Sequence, residues 1–460
     1  MSRPQRGRSP LPRTPTDVTI DGFTHGGEGV ARLEGKAVFV PGTLPGERVR
    51  IRVVDDRARW ARAELEEVLE PSPDRVEPPC PYVPACGGCD LQHARPDAQR
   101  ALKTRVVREQ LTRLGGIDDP PVLDCRAVGP ATGYRAQARM HAAADGQLGF
   151  HRSGSNEVVA VDRCLVLGTG AQELRSRVGD ATGAATVRLR RFEEGGAGAV
   201  VLTPGPGPLH LPEGSFDVLL AQPDGATAAM RGDGEVDVEV DGLVYAVPAT
   251  SFFQPGVAAA RALLHEVVAA AGDLDGALTW DLYAGVGLLS LGLARAGAQV
   301  VAVEGEAAAA ETSRRNARRN DLEVEVVADA VGPVLRRART AHAGARHAAG
   351  GAPRQVAAPD AATDAAPDAA TVGPPAPAAL EPPDVVVLDP PRSGAGEQVI
   401  GDLAALAPAA IVYVACDVAA LARDTRHLGA AGYTLRRAAP LDLFPMTHHV
   451  EVVATFTPTR

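Results

Sequence analysis

Cys416 stands in VYVACD, directly after the β-branched run Ile411-Val412-Tyr413-Val414, 27 residues beyond Asp389 and 35 before Glu451. A thiol at the carboxyl end of a strand in an α/β sheet lies where ligands bind, because the crevice forms outside those strand ends. Its thiolate form is a nucleophile. Glu451, in LFPMTHHVEVV, supplies a carboxylate that could take up a proton. Taken alone, a Cys after a strand is equally well a small buried apolar residue. The motifs around it separate the two readings.

The turn DLYAGVG (281–287) places Gly285 and Gly287 after a strand, and Glu304 follows 19 residues after Gly285 at the end of the next strand. Glycines there let backbone approach a ligand, and an acidic group about 20 residues on reaches a ribose diol in nucleotide-binding sheets. Ser290 stands where the dinucleotide fingerprint has its third glycine, so the adenosyl group of S-adenosylmethionine fits better than a pyrophosphate. Asp329, in VVADA at the end of a third strand, is placed to meet the adenine. Asp389-Pro390-Pro391-Arg392 closes a fourth. Arg392 occupies the place where enzymes that methylate exocyclic amines carry an aromatic, which points away from that chemistry.

Cys80, Cys86 and Cys89 lie among prolines and glycines in PPCPYVPACGGCDLQH, and Cys164 in AVDRCLVL offers a fourth sulfur from a distant segment. Four thiolates fit an iron–sulfur cluster or a tetrahedral zinc. Zinc sites usually come as two close pairs, so a triad plus one remote residue leans towards a cluster, and the spacing leaves both open. Cys125 is left over and reads as structural.

These side chains need elements to hold them. The chain has 460 residues, 45% hydrophobic and 23% charged, enough for two to three globular domains. Its first residues are basic and proline-rich with no apolar stretch behind them, so the expectation is a cytoplasmic protein without a membrane span. Residues 1–15 read as a disordered basic tail, and residues 16–72 as short strands with glycine turns, a small barrel of the oligonucleotide-binding kind. Net charge is −10, yet residues 1–62 carry twelve basic groups against seven acidic ones, a local face able to contact phosphates. Residues 73–247 read as a strand-rich central domain holding the cysteines, with a helix at about 94–115. Residues 248–460 alternate strand and helix, which implies a doubly wound parallel sheet. Within them, the Ala/Pro/Asp-rich segment 334–383 reads as a disordered insertion.

The barrel segment resembles the TRAM domain. SFFQ (251–254), DLYAGVG, VEG, DPPR, YVACD and DLFPMTHHVE, with the four-cysteine pattern, resemble the RNA uracil-5 methyltransferase family from about residue 16 to 460. The resemblance implies an α/β fold of TRAM barrel, central domain with a [4Fe–4S] cluster and Rossmann-like methyltransferase domain. It also implies S-adenosylmethionine as donor, a monomer, and an RNA substrate, ribosomal or transfer. Carried over by position, Gln254, Tyr283, Glu304, Asp329 and Asp389 match the family's cofactor contacts, Cys416 its nucleophile and Glu451 its base. Leu288, Asp417-Val418 and Leu443 depart from the usual residues, the second pair standing where Asn-Pro is common.

That family's reaction explains the residue types. Carbon 5 of uracil is a poor nucleophile until a thiolate adds to carbon 6 and creates an enolate; a base then removes the carbon 5 hydrogen. The expectation is that Cys416 sits in surroundings that lower its pKa. The competing readings are an RNA-binding iron–sulfur protein, which needs neither Cys416 nor Glu451, and a methyltransferase acting on another base position, which needs no thiol.

Overall fold

A computed structural model describes residues 11–349 and 380–459. Five strands, β1 (Thr16–Phe23), β2 (Glu28–Leu33), β3 (Lys36–Pro41), β4 (Arg48–Asp56) and β5 (Trp60–Glu70), close into a barrel in the order β1-β2-β3-β5-β4. Period-two alternation builds it: in β4, Val49, Ile51 and Val53 fill the core while Arg48, Arg50 and Arg52 point out. Leu11 is also in that core and its N–H donates to Asp56 Oδ2 at 2.9 Å. The end of the expected tail is therefore anchored by an apolar side chain; residues 1–10 lie outside the described residues.

Helix α1 (Pro96–Arg113) and the short strand β6 (Arg126–Ala127) lead into a seven-stranded sheet. It is made of β7 (Gln137–Ala142), β8 (Leu148–His151), β9 (Val158–Ala160), then, after helix α2 (Thr169–Val178), β10 (Ala184–Arg190), β11 (Ala199–Pro204), β12 (Asp217–Ala221) and β13 (Thr227–Arg231). Its order is β13-β12-β11-β10-β7-β8-β9, with α2 packed on one face through Ala171, Leu174 and Val178. The hairpin β14 (Glu235–Val240) and β15 (Leu243–Pro248) buries Val238, Val240 and Tyr245 in the same apolar cluster as Leu263, Leu288 and Val387 further on.

The last region runs α3 (Val257–Ala271), β16 (Leu278–Leu282), α4 (Leu288–Arg295), β17 (Gln299–Glu304), α5 (Ala307–Arg319), β18 (Val324–Ala328), α6 (Val331–Ala349), β19 (Val385–Leu388), α7 (Glu397–Ala404), β20 (Ala410–Ala415), α8 (Val418–Ala430), β21 (Tyr433–Asp442) and β22 (Glu451–Pro458). The sheet order is β18-β17-β16-β19-β20-β22-β21-β6. Strands β16 to β20 pair in parallel and β22 runs against β20, so the sheet reverses beside the end of β20. Helices cover both faces, which is why β19 and β20 are continuous apolar runs.

The expected insertion at 334–383 begins inside helix α6, which continues to Ala349. Val334, Leu335 and Ala338 bury one stripe of it against the sheet, and that packing outweighs an Ala/Arg-rich composition that gives little apolar signal. Residues 350–379 lie outside the described residues. Among the described residues no helix is long and apolar enough to cross a membrane.

Candidate active site

The turn after β16 bends through positive φ at Tyr283 (66°), Gly285 (57°) and Gly287 (93°). At Gly287 an added Cβ would lie 2.7 Å from Ser313 Oγ, so backbone and α5 approach too closely for a side chain. Glu304 holds this turn: its Oε2 accepts the Gly285 N–H at 2.8 Å and its Oε1 the Glu306 N–H at 2.7 Å. A small cleft of about 50 Å³ opens there, lined by Phe252, Gln254, Tyr283, Gly285, Leu288 and Asp389 among others. Gln254 is buried and its Oε1 has no hydrogen-bond partner among the described residues; the same is true of Asp281 Oδ1, which also faces the cleft.

Asp281 was quoted in the sequence motif without a role. It is wholly buried, and its Oδ2 accepts Ser290 Oγ–H at 2.5 Å. Burial raises its pKa to about 7, and burial followed by the Asp281 charge raises Asp389 likewise. Asp329 stands apart. It ends β18, but its carboxylate is taken up by Arg337 at 2.7 Å and by the Ala330 N–H at 2.7 Å, and it does not line the cleft.

Cys416 lines a second cavity of about 120 Å³ with His25, Arg392, Asp417, His448 and His449. Cys416 ends β20, and Asp417 caps α8 by accepting the Ala420 N–H at 2.7 Å. Asp at this position does the capping that Asn would do, which accounts for one departure from the family pattern. Glu451 opens β22 with only 4% of its surface exposed. Burial, and then the charge of Asp389, drive its pKa well above the usual carboxylate range, with Arg392 opposing.

The electrostatics at Cys416 differ from the expectation. Burial first, then the charges of Glu451 and Asp389, push its thiol up to about 11, and Arg392 offsets this only in part. Two carboxylates near a half-buried sulfur outweigh one exposed guanidinium and the start of a helix.

Cys80, Cys86, Cys89 and Cys164 line one cavity of about 230 Å³ with Tyr82 and Arg135. Burial raises Cys86, Cys89 and Cys164, and neighbouring thiols add to each. Among the described residues, no group of three or more His, Cys, Asp or Glu is gathered as a single metal ion would need. Cys125 is elsewhere, buried with its N–H donated to Thr104 Oγ1 at 2.8 Å.

Residues that spacing did not point to tie the cysteine segment to the loop before Glu451. The Asp90 and Leu91 N–H groups donate to Met446 O at 3.1 and 3.0 Å, and Gln99 Oε1 accepts the Met446 N–H at 2.9 Å. Lys103 pairs with Asp442 at 2.6 Å, both almost fully buried, and also reaches Phe444 O at 3.0 Å.

A TRAM barrel, a central sheet and a class I methyltransferase sheet with its glycine turn define an S-adenosylmethionine-dependent RNA methyltransferase. Residues 13–65 match the TRAM domain and residues 383–457 match the tRNA (Uracil-5-)-methyltransferase family model. An RNA methyltransferase of Streptomyces coelicolor is 35% identical over 96% of this chain and 92% of its own. The 23S rRNA (uracil(1939)-C(5))-methyltransferase of Alkalilimnicola ehrlichii is 33% identical over 98% of both chains. The tRNA (uracil-54, C5)-methyltransferase of Pyrococcus abyssi, solved with S-adenosyl-L-homocysteine, has TM-score 0.70 at 22% identity, covering 96% of this chain and 100% of that one, a likeness of fold. The chain belongs to the RNA (uracil-5-)-methyltransferase family.

Proposed function

We propose that this protein methylates carbon 5 of one uridine in folded RNA, giving 5-methyluridine, with Cys416 as nucleophile and Glu451 as base. The observation that carries the proposal is that Cys416, lining the cavity beyond β20, lies within electrostatic reach of both buried Glu451 and Asp389 of the donor cleft. S-adenosylmethionine supplies the electrophilic methyl. The orphaned Gln254 Oε1 and Asp281 Oδ1 are acceptors aimed at a cleft, which suits a ligand rich in N–H and O–H donors. Gln254, Tyr283 and Asp389 would hold it there, and Glu304 reaches the same turn through Gly285, while Asp329 is engaged by Arg337 away from the cleft.

The Cys416 sulfur bonds to carbon 6 and the ring electrons move to carbon 5, which takes the methyl as the donor's sulfur–methyl bond breaks and S-adenosylhomocysteine leaves with that electron pair. Glu451 then accepts the carbon 5 proton, and the carbon 6–sulfur bond breaks to return the thiolate. Glu451 is buried among carboxylates, which makes it a strong base once ionised. A uracil must leave its stack to enter this cavity, costing a few kcal/mol. RNA carrying 5-fluorouracil should form a covalent adduct on Cys416, because fluorine cannot leave as a proton; uracil methylation by Cys416→Ala would overturn the mechanism.

We further propose that Cys80, Cys86, Cys89 and Cys164 hold a [4Fe–4S] cluster. They surround one cavity rather than a point, and an all-sulfur donor set suits iron–sulfur. Four irons and four sulfides per chain are expected on analysis; stoichiometric zinc in protein purified under strict anaerobiosis would overturn it. The named 23S rRNA relatives support ribosomal RNA as substrate. Mapping 5-methyluridine in ribosomal and transfer RNA from cells lacking the protein tests this.

A further inference from the structure

The expectation is a basic face on the barrel, yet the three outward arginines of β4 are ion-paired. Arg48 pairs with Asp17 and Glu70, Arg50 with Asp17 and Glu67, and Arg52 with Glu64 and Glu66. A phosphate would have to displace a carboxylate from each.

One face of the central sheet is different. Register pairs Arg190 with Gln137, Arg188 with Arg139 and Thr186 with His141 across β10 and β7, so these side chains share a face. Arg190 is almost fully buried and structural, its guanidinium donating to Gln137 Oε1 at 2.6 Å, Pro248 O at 2.5 Å and Ser251 O at 2.6 Å. Arg188 donates to Thr250 O at 2.8 Å and, among the described residues, meets no carboxylate. Arg139 is exposed, borders the four-cysteine cavity and, among the described residues, has neither an ion pair nor a side-chain hydrogen bond. Like charges placed directly opposite on a ladder are destabilising, and here burial and then Arg139 depress the pKa of Arg188.

This cationic strip connects two parts of the molecule. At one end Arg188 and Arg190 hold Thr250 and Ser251, next to Phe252, whose ring is 71% exposed, and to Gln254 of the donor cleft. At the other, His141 stacks on His151 with centroids 3.6 Å apart, and the His151 carbonyl accepts the Gly87 N–H of the cysteine segment at 2.9 Å. Uncompensated arginines, stacked imidazoles and an exposed aromatic on one route are what a nucleic-acid strand engages.

We propose that this face of the central sheet, centred on Arg139 and Arg188, holds the phosphate backbone of the RNA strand flanking the target uridine, while the ion-paired arginines of β4 do not. The proposal rests on the reading of the protein as an RNA methyltransferase. The missing counter-charge of the Arg139–Arg188 pair is then a phosphate oxygen.

The test compares wild type, Arg139→Gln, Arg139→Glu and the barrel variant Arg50→Gln/Arg52→Gln, using unmodified ribosomal RNA transcribed in vitro. Binding is measured across a KCl series, and methyl transfer and donor affinity alongside. Losing one phosphate contact on a single strand should flatten the log–log salt slope by about 0.7. Arg139→Gln should show that loss, and Arg139→Glu a rise in KM for RNA of at least about tenfold, with kcat, iron content and donor affinity kept. The barrel variant should keep the wild-type slope. Wild-type RNA affinity and slope in Arg139→Glu, or a flattened slope in the barrel variant alone, would overturn the proposal. Failure of wild type to methylate any RNA uracil would overturn the underlying reading instead, so the two failures are distinguishable.

Discussion

Asp90, the residue after Cys89, accepts the His448 backbone N–H on Oδ1 at 2.8 Å and meets the His448 ring Nδ1 with its other oxygen. His448 lies three residues before Glu451, so the cysteine segment grips the loop that leads into the proposed base. Fixing a catalytic carboxylate to within a fraction of an ångström is worth orders of magnitude in rate. Asp90→Ala should lower kcat about tenfold or more while leaving donor Kd unchanged, and Asp90→Asn, which keeps an acceptor for the backbone N–H, should recover part of it. Steady-state kinetics with the donor Kd checks this; a change in donor Kd alone would contradict it.

Lys103 and Asp442 lie at the other end of that loop, 2% and 3% exposed. A buried pair offsets its own desolvation only when both partners are present, and removing one costs about 3–5 kcal/mol. Lys103→Met should therefore destabilise strongly in urea unfolding, and Lys103→Met/Asp442→Leu should be closer to wild type than either single change.

Strand ends were the legible part of this chain. Cys416, Asp389 and Glu451 each follow or open a β-branched run, and a doubly wound sheet carries such residues to one edge whatever the loops do. The clamp on the loop was not legible, because Asp90 and His448 are 358 residues apart and Lys103 and Asp442 are 339 apart, with no period linking them. The raised pKa of Cys416 was not legible for a related reason: it comes first from burial and then from carboxylates at β22 and just after β19, while the sequence shows only the helix start beside the thiol. A count of basic groups does not show pairing: β4 and β5 run antiparallel in register, so outward Arg48, Arg50 and Arg52 face Glu70, Glu67 and Glu64.

The cysteine cavity and the Asp90 grip share one segment, which would give the proposed cluster a structural task in a methyl transfer that moves no electrons. Cys89→Ser should lower folding yield, iron content and RNA affinity together. Removing iron from wild type with a chelator under reducing conditions should increase proteolysis between residues 80 and 95 and at the 444–449 loop, read by mass spectrometry. Full retention of yield and RNA affinity in Cys89→Ser would separate the cluster from the fold.

The free protein should carry Cys416 as a thiol near neutral pH, because burial and the charges of Glu451 and Asp389 push it up to about 11. Only the thiolate is alkylated, so its labelling by iodoacetamide should rise about tenfold per pH unit from pH 7 towards 10 without a plateau. Arg392 is the cation that opposes the carboxylates, so Arg392→Gln should slow labelling at every pH in that range. A donor cation bound beside Asp389 would reduce the same penalty, so adding S-adenosylmethionine should speed labelling, whereas uncharged S-adenosylhomocysteine sulfur should do so less. Peptide-resolved mass spectrometry separates Cys416 from the four cysteines of the cavity and from buried Cys125. A plateau below pH 8 in the free protein would mean that the thiolate is made without any help from the ligands.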